Sequence, residues 1–75
     1  MRTKQLRLND FNQIRQRMPE FLGKKINIVL TDNTAMFGEL TNVSENEIVL
    51  KNMRQVKVKF LFRSIVEVYL DTQVK

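Results

Sequence analysis

The side chains able to do chemistry in this 75-residue chain are mostly cations. Lys and Arg number 13 against 8 Asp and Glu, with no His and no Cys, for a formal net charge of +5. Without imidazole or thiol, the commonest general base and the ordinary zinc ligand sets are missing. Glu45 and Glu47 alone do not make an acid–base site, and no Gly-rich phosphate loop is present. The chain is therefore not expected to be an enzyme, and no metal or cofactor is expected. An excess of Lys and Arg instead suits an anionic partner. Arg2, Lys4, Arg7, Arg15 and Arg17 are stronger candidates to meet phosphate than Lys57 and Lys59, with solubility and helix-end electrostatics as an equal competing reading. Lys57 and Lys59 form one face of an alternating segment and read as a solvated face.

Charge is unevenly spread. Seven cations against Asp10 and Glu20 give residues 1–25 a balance of +5, whereas residues 26–53 sum to −3 and residues 54–75 to +3. An acidic middle separates two basic stretches, so a basic face must be brought together by folding or by assembly.

The elements that would position these residues are short. A chain of this size buries only about 60% of its unfolded surface. With no disulfide available, it folds marginally alone or gains stability by self-association. The basic start MRTKQLRLND lacks an apolar core segment and does not read as a signal peptide. No run reaches the roughly 20 apolar residues of a membrane span. A cytoplasmic protein with no membrane partner is the expectation.

Residues 9–18 predict one amphipathic helix, with Asn9 or Asp10 as cap and Phe11, Ile14 and Met18 at helical spacing. The basic stretch before it is expected to extend that helix or to fray. Pro19 disfavours helix at Met18, and Phe21-Leu22-Gly23 turns the chain. The period then becomes two. Ile26, Ile28 and Leu30 share a face of a first strand, and Asp32-Asn33 form a tight turn. A second strand over 34–42 has Gly38 at its centre, suggesting a bulge or bend. A third covers 47–51. In the fourth, over 55–62, Val56, Val58, Phe60 and Phe62 share a face, and a fifth covers 65–70.

A single domain over 1–75 is expected: mainly β, one N-terminal helix over about 9–18, and a five-stranded, strongly bent antiparallel sheet over about 24–71 forming a small open barrel. Unpaired edges on the last two strands, with Leu61, Tyr69 and Leu70 outside a small core, predict edge-to-edge pairing between copies and closure into a ring.

Taken in order, Ile26-x-Ile28-Val29-Leu30-Thr31-Asp32-Asn33-Thr34-x-Met36-x-Gly38-x-Leu40, then Ile48-Val49-Leu50-Lys51-Asn52, then Phe62-Arg63-Ser64-Ile65, resemble the Sm/LSm family and, within it, the bacterial Hfq branch. The resemblance covers roughly residues 9–70. It implies a helix on a five-stranded bent sheet, a ring of five to seven subunits, and binding of single-stranded RNA by two loops. One loop falls on Ser44-Glu45-Asn46-Glu47-Ile48, with Ser44 where the family carries Asp and Asn46 able to hydrogen-bond a base edge. The other falls on Leu61-Phe62-Arg63-Ser64, where Arg63 matches the family's Arg. Arg15 and Arg17 correspond approximately to the basic rim of the Hfq branch. That branch's Lys-His pair has no counterpart, and its adenine-binding Tyr falls on Val29.

Each candidate has a plain alternative. Arg63 either stacks on or bonds a nucleobase, or is a solvated turn residue or an intersubunit ion-pair partner. Phe62 continues the Val56-Val58-Phe60 stripe and reads as core. Ser44 and Asn46 are turn formers by type. Two functions follow: an RNA-binding ring of the Sm type acting in RNA metabolism or riboregulation, or a protein-interaction scaffold that has kept the architecture and lost the nucleotide pocket. The acidic Glu45 and Glu47 and the missing stacking residue favour the scaffold.

Overall fold

The computed structural model describes residues 2–74, with side chains for residues 4–71. Six strands form one antiparallel sheet in the order β1-β6-β2-β3-β4-β5, with a short helix packed against one end. The strands are β1 (Arg2–Leu8), β2 (Lys25–Leu30), β3 (Ala35–Val43), β4 (Glu47–Lys51), β5 (Lys57–Leu61) and β6 (Ile65–Val74). Helix α1 spans Phe11–Arg17 and passes directly into a 3₁₀ turn, Met18–Phe21. The sheet is open, with β1 and β5 at its edges.

One strand more than expected is present. The basic stretch before the helix neither extends it nor frays: it forms β1, paired along its length with β6 from Arg2↔Val74 to Leu8↔Val68. Leu6 and Leu8 alternate with Arg7, a period of two that suits a half-buried strand. The partner lies some sixty residues away, so local pattern cannot reveal it. Leu70, expected outside the core, is 2% exposed because Leu6 sits opposite it on β1.

Helix α1 starts at Asp10, whose carbonyl accepts the Ile14 N–H at 2.9 Å while its carboxylate makes no capping bond. Pro19 ends regular α-helix at Arg17 and is accommodated in the 3₁₀ turn, where its missing N–H is not needed. Ile14, Met18 and Phe21 point into the core with Ile26, Ile28, Leu40, Ile48, Val68 and others. No polar side chain is buried among the described residues.

Three local features depart from a plain ladder. Between Leu40 and Asn42, β3 takes two steps against one on β4, so Thr41 is the extra residue and its hydroxyl donates to the Val49 carbonyl at 3.3 Å. Between Val29 and Leu30 the register on β6 jumps from Glu67 to Ile65, leaving Val66 out and letting Ile65 and Val68 both face inward. At Gly38 the strands approach so closely that a Cβ would lie 2.8 Å from the Lys51 carbonyl oxygen. Gly38→Ala is therefore expected to cost about 1–3 kcal/mol through forced backbone displacement. A urea midpoint unchanged from the parent protein would contradict it.

Turns follow their residue types. Asn33 takes φ 69°, and the Asp32 carboxylate accepts the Thr34 N–H at 3.0 Å. Hydrogen bonds from the Thr34 side chain and backbone hold the Asp32 carboxyl below its ordinary 3.8. The β4–β5 turn is organised by Asn52, whose Oδ1 accepts from the Arg54 and Val56 N–H groups, with Gln55 at φ 67°. That turn keeps Val56 out of the strand and exposed, against the expected stripe from Val56 to Phe62. Phe62 is core, as read from the sequence; Val58 and Phe60 are half-buried.

Candidate nucleic-acid interface

Three segments distant in sequence meet beside the N-terminus of α1. They are the helix, the β3–β4 turn and the 3₁₀ turn Phe62–Ser64 that leads into β6. Ser44 closes the β3–β4 turn: its N–H and hydroxyl donate to the Glu47 carbonyl at 2.9 and 3.1 Å, and its oxygen accepts the Glu47 N–H at 3.3 Å. The Asn46 carbonyl accepts the Phe62 N–H at 3.0 Å, tying this turn to the one carrying Arg63. The helix joins them through Arg15, whose Nη2 donates to the Glu45 carbonyl at 2.9 Å.

Between them lies an open cleft of about 310 Å³ lined by Phe11, Arg15, Glu45, Asn46, Leu61, Phe62 and Arg63. Phe11 shares the helical spacing of Ile14 and Met18, yet it is 44% exposed and forms an apolar wall, with Leu61 as another. Its position explains this: at the first residue of α1, it lies before Ile14 and Met18, the turns that cover the sheet. Two guanidinium groups face one carboxylate, leaving the cleft with a cationic excess. Neither the Asn46 amide nor Arg63 makes a side-chain hydrogen bond or ion pair with the described residues.

Of the five residues singled out from sequence, the fold thus brings Arg15, Asn46 and Arg63 to one cleft. It does not bring Ser44 or Arg17 there. The Ser44 hydroxyl is spent on its own turn, as its residue type suggests. Arg17 pairs with Glu20 at 3.4 Å and lies over the Phe21 ring at 6.0 Å.

A second cleft of similar volume is lined by Lys25, Phe37, Gly38, Glu39, Lys51, Asn52, Met53 and Gln55. There Glu39 sits between Lys25 and Lys51 in the cross-strand register, and the Asn52 amide oxygen already holds the β4–β5 turn. Among the described residues no group of three or more His, Cys, Asp or Glu could hold a metal ion, and no helix is long and apolar enough to cross a membrane. Comparison of the chain with protein-family models, curated proteins and solved structures gives no match.

Proposed function

We propose that the chain binds short segments of single-stranded RNA in the cleft between Phe11, Asn46 and Arg63, and that copies associate into a ring of five to seven subunits, as the Sm/LSm resemblance implies. The observation that carries the RNA reading is the convergence of an exposed aromatic ring, an unengaged amide and two guanidinium groups on one open cleft. Each part has a role in that chemistry. A nucleobase stacks on the Phe11 ring, since every base has a π-face. The Asn46 amide offers both a donor and an acceptor to a base edge. Arg63 stacks on the base or pairs with phosphate, and Arg15, held by the Glu45 carbonyl, adds fixed positive charge. No bond is made or broken.

Fluorescence anisotropy with uridine-rich, adenine-rich and mixed RNA oligonucleotides tests this across a salt series. The expected affinity falls with salt at a log–log slope of about −0.7 for each phosphate neutralised, and differs among the oligonucleotides. Binding that is indiscriminate and vanishes at physiological salt would reduce the cleft to part of a basic surface. Absence of binding at low salt would sink the RNA reading and favour the protein-scaffold alternative, to which the Glu45 carboxylate in the cleft lends weight.

A further inference from the structure

The two ends of the sheet carry similar strands. On β1, Arg7 lies between Leu6 and Leu8, which turn toward the core. On β5, Lys59 lies between Val58 and Phe60, both half-buried. Each is a short strand with apolar residues on the inner face and a cation on the outer one. The strand that β1 covers has the opposite chemistry: Val68 and Leu70 face inward, while Glu67, Tyr69 and Asp71 lie on the other side. Arg7 meets that outer face closely, with Nη1 at 3.1 Å from Glu67 Oε1 and its guanidinium 5.1 Å from the Tyr69 ring centre.

We propose that β1 is an internal stand-in for β5 of a second copy. Both strands fit the same edge of β6, and association of copies exchanges β1 for a neighbour's β5 on that edge. The edge of β5 left unpaired by the fold is the surface offered, and the partner is this chain itself. Several features favour the exchange. The backbone pairing lost with the seven residues of β1 is largely replaced by pairing with the five residues of β5. Lys57, together with Lys59, whose exposed ammonium is held only loosely by Glu47 at 3.8 Å in its own chain, brings cations to Glu67 and Asp71 in place of Arg7. An unpaired edge disappears in each copy. Direct pairing of β5 with the outer edge of β1 would instead set Lys57 and Lys59 near Arg7, like charge against like. A tethered strand competes at an effective concentration on the order of millimolar, so β1 restrains association at low protein concentration. This inference rests on the self-association part of the proposed function and is independent of RNA binding.

The test uses full-length variants, with mass read by light scattering over a concentration series and fold checked by circular dichroism. Arg7→Glu sets a carboxylate beside Glu67, the diagonal neighbour its guanidinium now pairs with, and weakens β1 alone. It is expected to bring association to about tenfold lower concentration, the scale of one lost ion pair and cation–π contact together with the new repulsion. Adding Lys57→Glu and Lys59→Glu should return the protein to the monomer mass of 8.9 kDa. In the Gln5→Cys/Asp71→Cys variant, a disulfide joining the two residues paired across β1 and β6 should hold the oxidised protein monomeric up to millimolar concentration, where the reduced form associates. Oxidised protein that assembles as readily as reduced protein would overturn the exchange while leaving self-association standing. No association in any folded variant, including Arg7→Glu, would overturn both.

Discussion

Phe11→Ala is expected to weaken binding of a short single-stranded RNA by about 1–3 kcal/mol, roughly 5- to 150-fold, because one base–aromatic stack is lost. The fold should be unaffected. Phe11 is outside the buried core, and alanine is the better helix former at the start of α1. Thermal unfolding within a degree or two of the parent protein, together with the affinity loss, distinguishes a stacking role from a structural one. Arg63→Ala should add a further loss and flatten the salt dependence, since it removes a charge that Phe11→Ala leaves in place. The double variant is informative because the two side chains line one cleft: a shared base would make the losses non-additive. Unchanged affinity in Phe11→Ala would remove the stacking platform, and with it the cleft's claim to bind a base.

The largest expected effect on stability is at Ile28. It is fully buried on β2, an interior strand, between Met36 on β3 and Val68 on β6. Truncation to alanine loses the transfer free energy of three carbons and leaves a cavity walled by strands on both sides, which limits collapse. A cost of about 2–5 kcal/mol is expected. A domain of this size has about 4–11 kcal/mol in total at 0.05–0.15 kcal/mol per residue, so the variant should be close to unfolding. Denaturant unfolding should show a much lower midpoint with an unchanged slope. The neighbouring Val29 faces the opposite side of the same strand and is half-buried, so Val29→Ala should cost clearly less. Equal losses at the two positions would mean that the alternation of faces along β2 is wrong.

Much of the fold is legible in the residues themselves. Two-residue alternation marks the interior strands, because a sheet with one buried face imposes that period on each of them. Pro19, Gly23 and Asp32-Asn33 mark breaks, because each turn needs a missing donor, a positive φ or a side-chain acceptor that few residue types supply. Gly38 stands out by type as a special backbone position, but the register runs regularly across it and the bulge lies at Thr41; what the glycine supplies is room for the Lys51 carbonyl. Phe62 as core, and Ser44 as a residue serving its own turn, likewise follow from local pattern.

Tertiary structure alone decided the rest. Arg2–Leu8 carries the strand alternation only over its last few residues, and what makes it a strand is the edge of β6, brought beside it by folding. That pairing also buries Leu70, gives Arg7 its acidic partner and leaves β1 and β5 as the two edges of the sheet. Phe11 shares the helical spacing of Ile14 and Met18, but the place where α1 rests on the sheet leaves it beside the cleft. Arg15 and Arg17 are two residues apart on one helix, which turns them about 200° from each other; one reaches Glu45 and the other Glu20. Sequence determined the residue types, the strand faces and the turns, because those depend on nearest neighbours along the chain. Which cations share a cleft, and which edge stays open, depends on contacts between segments that no local period encodes.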